Sequence, residues 1–196
     1  MCNDYEQHVT NADYVRAIAA AELDAAKSNA SDLPAADDIK IGDLGPVLVA
    51  VGNGVGLRPM RFGWAPPRKG ASPVFNFKSD GRHFEKSKRC VVILSGFFEF
   101  TGTKYPKTKH RFSLKGQPAM GIAGLYHEAE GDEPESFTML TTAPGPDIAP
   151  YHDRQVCVLA PTDWSAWLYL TKPEAELLKP LPPGSLLVKT VRKGAK

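Results

Sequence analysis

The second residue of this 196-residue chain is a cysteine, in Met1-Cys2. With Met1 removed, Cys2 presents a free α-amine and a thiol on one residue. The amine condenses with an aldehyde to give an imine, and the thiol closes a five-membered thiazolidine ring on it. An internal cysteine cannot do this, because its nitrogen is locked in a peptide bond. Unperturbed, the α-amine titrates at about 8 and the thiol at about 8.5. The bland alternative is a cysteine that follows the initiator by accident. Three other residues could serve such chemistry. Glu99 lies between Phe98 and Phe100; it is either turned to water or held in an apolar setting that raises its pKa and suits a proton donor or acceptor. His152, in Tyr151-His152-Asp153-Arg154, sits at the mouth of an expected strand and could exchange a proton near neutrality. Asn76 sits between two phenylalanines; a turn or backbone bond is the simpler account of it, catalysis the sharper one.

Net charge is +2, but the charges are segregated. Residues 57–115 hold 14 Lys or Arg against 3 Asp or Glu, and the remainder holds 10 against 19. Such asymmetry suits a nucleic-acid face, with solvated lysines as the plain alternative. Aromatic and proline residues interleave with the cations, notably Arg61, Trp64, Pro66 and Pro67. That mixture points to single-stranded nucleic acid, whose bases stack while cations track the phosphates. Trp64 reads equally as core. Cys2, Cys90 and Cys157 are too few and too scattered for a disulfide framework or a zinc site. No apolar run is long enough to span a bilayer, and no signal segment is visible. These features predict a cytoplasmic protein with reduced thiols.

Pattern and punctuation predict one α+β domain of short strands and few helices. A helix capped by Asn11 runs to Ala26, and residues 31–43 form a loop. Strands follow at 48–51, ended by Gly52-Asn53-Gly54, and at 58–64, with Met60, Phe62 and Trp64 on one face and Arg61 on the other. Residues 74–78 are extended and 82–89 form a basic helical link. The most strand-like run is 89–100, with Glu99 at its end. Further strands fall at 111–114, 119–126, 137–142, 155–159 and 185–191, with an acidic turn at 129–135. Thr162 or Asp163 caps a helix bearing Trp164, Trp167 and Leu168. Thr171-Lys172-Pro173-Glu174 reads as a capping box, and the basic tail over 190–196 as frayed.

Several segments, in this order, resemble the SOS response-associated peptidase (SRAP) family, whose members crosslink to abasic sites in DNA. They are Met1-Cys2, Met60-Arg61-Phe62-Gly63-Trp64, Asn76-Phe77-Lys78-Ser79-Asp80, Gly96-Phe97-Phe98-Glu99-Phe100, Ala123-Gly124-Leu125-Tyr126, Phe137-Thr138-Met139-Leu140-Thr141-Thr142 and His152-Asp153-Arg154. The resemblance implies a twisted, barrel-like antiparallel β core flanked by short helices. It implies Cys2 as the covalent residue, with Asn76 orienting, Glu99 as general acid/base and His152 opening the sugar ring. Lys78, Arg82 and Arg154 would bind DNA, with Arg61 and a shelf of Trp64, Pro66 and Pro67 beside them. The implied partner is single-stranded DNA carrying abasic sites, met by a monomer with no metal or organic cofactor, nucleoid-associated when bound. Asn3-Asp4 departs from the Gly-Arg that many members carry, and Asp80 stands where Glu is usual. Two rival readings remain: a cysteine peptidase using Cys2 and His152, and a nucleic-acid-binding module without chemistry.

Overall fold

The computed structural model describes residues 2–24 and 34–195. Strands β3 (Leu44–Val51) and β6 (Arg89–Leu94) carry consecutive buried apolar residues because both their faces are covered. Val47, Val49, Cys90, Val92 and Leu94 enter one hydrophobic cluster with Tyr5, Phe62 and Phe137. Leu48, Val91 and Ile93 enter the other, with Trp164, Trp167 and Leu168. The split follows the two-residue period of a strand.

The pairings of the larger sheet close into a ring. β3 pairs antiparallel with β4 (Gly54–Phe62) and β6, and β6 with β9 (Met120–His127). β9 pairs antiparallel with β10 (Ser136–Thr142), which returns to β4 through a short parallel contact at Phe137↔Phe62. This is a small barrel, with β5 (Asn76–Lys78), β11 (Gln155–Val156) and β12 (Val158–Leu159) on its margins. A second, antiparallel sheet contains β1 (Asp4–Gln7), β2 (Ala36–Lys40), β7 (Gly96–Thr101), β8 (Thr108–Leu114) and β13 (Leu186–Arg192) in the order β13-β8-β7-β1-β2. The helices are short: α1 (Asn11–Ala20), α2 (Trp164–Tyr169) and α3 (Glu174–Leu177). The barrel-like core with flanking helices is the fold that the family resemblance implied.

Several local expectations are corrected. The run 89–100 is two strands in two sheets. Ser95 breaks it: its N–H and hydroxyl both donate to Glu6 O, at 3.1 and 3.2 Å. Gly96 fits because a Cβ there would lie only 3.0 Å from Glu6 Oε1 and 3.1 Å from Phe112 O. Glu99 therefore belongs to the smaller sheet, beside β1. Residues 82–88 form coil and a turn, not a helix, and Arg89 already opens β6. Arg89 satisfies the local carbonyls instead, donating to Phe84 O and also to Trp167 O, each at 2.9 Å.

The expected loop 31–43 contains β2 where it is described. The first helix is capped by Thr10, one residue earlier than predicted, with Asp13 completing the capping box. It ends at Ala20; the rest of its predicted extent to Ala26 falls partly on residues 25–33, outside the described residues. The strand 155–159 is split at Cys157, whose N–H and carbonyl bond Leu140 O and Ala123 N. Thr171 forms no capping box. Glu174 turns its carboxylate to Phe84 N–H at 2.5 Å and His83 Nδ1 at 3.1 Å. The tail is not frayed over 190–195. β13 runs to Arg192, and Ala195 N–H donates to Pro106 O at 2.9 Å.

Candidate active site

Strand β1 delivers Cys2. It lies between β2 and β7, antiparallel to both, with Tyr5 opposite Phe97. The same register carried towards the start of the chain takes Asn3 past Glu99. Cys2 is 1 % exposed and belongs to the cluster of Tyr5, Phe97 and Phe112. Its thiol donates to Asp4 O at 3.5 Å. Burial, and then the charge of Glu99, push the thiol far above its ordinary range. The thiol near neutrality expected from the unperturbed value is thus corrected: it is a neutral S–H at pH 7.

Asn76 and Glu99 reach this residue from opposite sheets. Asn76 Nδ2 donates to Cys2 O at 2.7 Å, so the amide does make a backbone bond, across 74 positions of sequence. Its Oδ1 is buried without a hydrogen-bond partner among the described residues, an acceptor left over beside Cys2. Glu99, 2 % exposed, has its pKa pushed up to about 7, chiefly by burial. A carboxyl so tuned both gives and takes a proton at neutral pH.

His152 faces Glu99, with Nε2 3.9 Å from Glu99 Oε2. Arg154 N–H donates to His152 Nδ1 at 3.0 Å, which places the proton of the neutral ring on Nε2, towards Glu99. Burial lowers the pKa of His152, so this neutral form prevails at pH 7. Asp153 Oδ1, 2.9 Å from the same Nδ1, becomes its acceptor only when the ring is protonated. Glu99 and His152 open onto a cleft of about 540 Å³, also lined by Asn3, Asp4 and Phe100. Four distant positions, Cys2, Asn76, Glu99 and His152, are thereby brought together.

Asp4 does not leave the departure from Gly-Arg uncompensated. Its carboxylate lies 2.8 Å from Lys109 Nζ, which also meets Asp38 at 2.5 Å and lies 3.6 Å from the Phe98 ring centroid. The charge beside Cys2 is thus balanced from β8. Sequence reading missed Lys109, because only the β7–β8 and β1–β7 registers bring it there.

The expected DNA-binding residues are unequal. Lys78 is exposed and shares a strand face with Asn76. Arg82 is exposed, with its guanidinium 4.5 Å from the Phe77 ring centroid. Arg154 is held by Asp80 at 2.5 Å and Thr141 O at 2.8 Å, and Arg61 by Glu133 at 2.5 Å. Trp64 stacks on His127, centroids 4.0 Å apart, so one face is already covered; Pro66 and Pro67 are exposed beside it. The charge segregation is partly internal. Arg58, Arg61, Lys88, Lys109 and Arg111 pair with acidic residues from outside 57–115.

Asn76→Ala removes the bond to Cys2 O. Any aldehyde capture by Cys2 should slow by roughly tenfold, with a stability loss of about 1 kcal/mol. Stopped adduct time courses and urea melts measure the two effects separately.

The family model described as SOS response associated peptidase (SRAP) matches residues 1–194. An abasic site processing protein of Saccharomyces cerevisiae is 34% identical over 103 residues, 48% of this chain and 28% of that protein. The abasic site processing protein YoqW of Bacillus subtilis is 29% identical over 141 residues, 64% of this chain and 62% of its own length. The matches therefore span less than two thirds of either relative. A crystal structure from Bordetella bronchiseptica superposes with a TM-score of 0.74 at 22% identity, covering 97% of this chain and 100% of that one. One from Bacteroides thetaiotaomicron gives 0.71 at 19% identity, covering 97% and 92%. At these identities the likeness is one of fold.

Proposed function

The chain belongs to the SOS response associated peptidase (SRAP) family, and from that membership we propose that it captures abasic sites in single-stranded DNA through Cys2, shielding them from cleavage. The observation that carries this reading is Glu99. It is a buried carboxyl with a pKa of about 7, in the cleft that the Cys2 segment passes. The names of the yeast and Bacillus relatives point the same way.

The reaction needs Met1 removed. An abasic deoxyribose is in equilibrium with an open-chain aldehyde, and with no base to unstack it enters a narrow site at little cost. His152, with its proton on Nε2, assists ring opening. The Cys2 amine attacks C1′, and Glu99 protonates the leaving hydroxyl as water departs and the imine forms. Asn76 holds the Cys2 carbonyl and offers Oδ1 to the amine or a sugar hydroxyl. The thiol then adds across the C=N bond, sulfur to carbon and proton to nitrogen, to close the thiazolidine. One water is lost overall. Ring closure consumes the imine, which otherwise promotes β-elimination and strand cleavage. Most of the acceleration comes from holding amine, thiol and aldehyde together.

The neutral thiol also bears on the rival peptidase reading. A cysteine peptidase works through a thiolate raised by an adjacent base. Burial and a neighbouring carboxylate push the Cys2 thiol the opposite way. Ring closure on an imine needs no standing thiolate.

The test is a single-stranded oligonucleotide with one abasic site. An adduct that survives heat and detergent, one water lighter than its parts, supports the proposal. Salt-sensitive binding without an adduct supports a binding module, and peptide cleavage without an adduct a peptidase.

A further inference from the structure

The β7–β8 hairpin stands at the rim of the cleft that holds Glu99 and His152. Its loop carries Tyr105, 82 % exposed, the most exposed large hydrophobic side chain among the described residues. A tyrosine ring left in water gains nothing from the fold, since its stabilisation comes from buried area.

The loop is nevertheless tied down. Ala195 N–H donates to Pro106 O at 2.9 Å, Gly194 N–H to Thr108 Oγ1 at 2.9 Å and Arg192 Nη2 to Lys107 O at 3.3 Å. A Cβ at Gly194 would fall 2.7 Å from Thr108 N and 2.8 Å from Pro106 O, so the tail closes on the loop only as glycine. The C-terminal segment thus tethers the loop just after an aromatic residue whose side chain the core does not use.

Cations share its cleft. Lys107 Nζ lies 5.5 Å from the Tyr105 ring centroid, and Lys40, Lys107 and Arg192 line the same cleft. Of the acidic groups there, Asp4 is paired with Lys109. An exposed aromatic ring on a tethered loop beside cations is the arrangement that stacks a base and holds the phosphates on either side of it.

We propose that Tyr105 is a stacking platform for a base flanking the reacting nucleotide, with Lys107, Lys40 and Arg192 contacting the neighbouring phosphates. The inference rests on the single-stranded DNA substrate proposed above but not on its covalent step. It is tested with a fluorescein-labelled, unmodified thymidine oligonucleotide, by anisotropy over a range of salt. Tyr105→Ala weakens binding roughly five- to a hundredfold, while Tyr105→Phe, which keeps the ring, binds like the parent. Lys107→Ala flattens the slope of log K against log salt by about 0.7. Capture of a small aldehyde by Cys2, read by intact mass, is unchanged in Tyr105→Ala. The proposal is overturned if Tyr105→Ala binds the oligonucleotide as the parent does, if Tyr105→Phe loses as much as Tyr105→Ala, or if small-aldehyde capture falls with it. Should the parent bind in this Tyr105-dependent way yet form no adduct on an abasic strand, the stacking site stands and only the covalent reading falls.

Discussion

Cys2→Ala leaves no adduct that survives denaturation, yet the variant still binds single-stranded DNA and still reacts with the abasic aldehyde. The separation follows from the two groups on Cys2. Alanine at position 2 retains an α-amine after Met1 is removed, so the imine still forms. It lacks sulfur, so the imine cannot be closed and either reverses or drives β-elimination. The variant should therefore show no stable adduct, a borohydride-trappable one, and more strand cleavage than the parent. Gel electrophoresis of one labelled abasic strand, with and without borohydride, reads all three. Deleting the side chain from a site 1 % exposed costs about 1–2 kcal/mol, which leaves a folded protein to assay. A heat-stable adduct from Cys2→Ala without reductant would place the link on another side chain.

The four candidate residues were legible in the sequence as members of ordered motifs, but not as neighbours. What joins them is β1, and β1 is the element hardest to read. Its sequence, Asp4-Tyr5-Glu6-Gln7, is polar at three of four positions, yet all four are buried. Each polar group has a partner from far along the chain or just beyond the strand. Asp4 meets Lys109, Glu6 meets Arg111 at 2.5 Å, and Gln7 Oε1 accepts from Val9 N–H at 2.6 Å. Polar residues enter a sheet when paired, and local hydropathy cannot reveal the pair. The run 89–100 failed for the converse reason. Apolar residues flank Ser95 on both sides, so nothing but a serine hydroxyl and a tight glycine marks the change of sheet. The barrel strands were legible because alternation between two clusters is a property of the strand itself. The basic block at 57–115 was visible as composition, but part of it answers acidic residues of the same molecule.

Glu99→Gln should slow adduct formation by roughly 10²- to 10⁴-fold while making the protein more stable at alkaline pH. Both effects come from the same burial. Folding raises the Glu99 pKa from its ordinary 4.5 to about 7. Below pH 4.5 the carboxyl is protonated in folded and unfolded chains alike, and its burial carries no ionisation penalty. Between pH 4.5 and 7 the unfolded chain gives up this proton while the folded state keeps it, so stability falls across that window and the loss is complete once the folded carboxyl ionises above 7. At about 1.4 kcal/mol per pKa unit the loss approaches about 3 kcal/mol above pH 8. Glutamine keeps the shape and never ionises, so the variant escapes that loss. Its melting temperature should match the parent near pH 4 and exceed it by several degrees near pH 8.5. The rate tells the complementary story. Capture needs one proton shared between the Cys2 amine and Glu99, whose carboxyl is pushed up to about 7; a neutral amine with protonated Glu99, or an ammonium with the carboxylate, gives the same dependence. The parent should show a bell-shaped pH–rate profile, and Glu99→Gln should lose the limb that Glu99 supplies. A variant with the parent's rate and the parent's bell would remove Glu99 from the proton transfers. Higher stability paired with slower capture identifies a carboxyl whose burial serves the reaction rather than the fold.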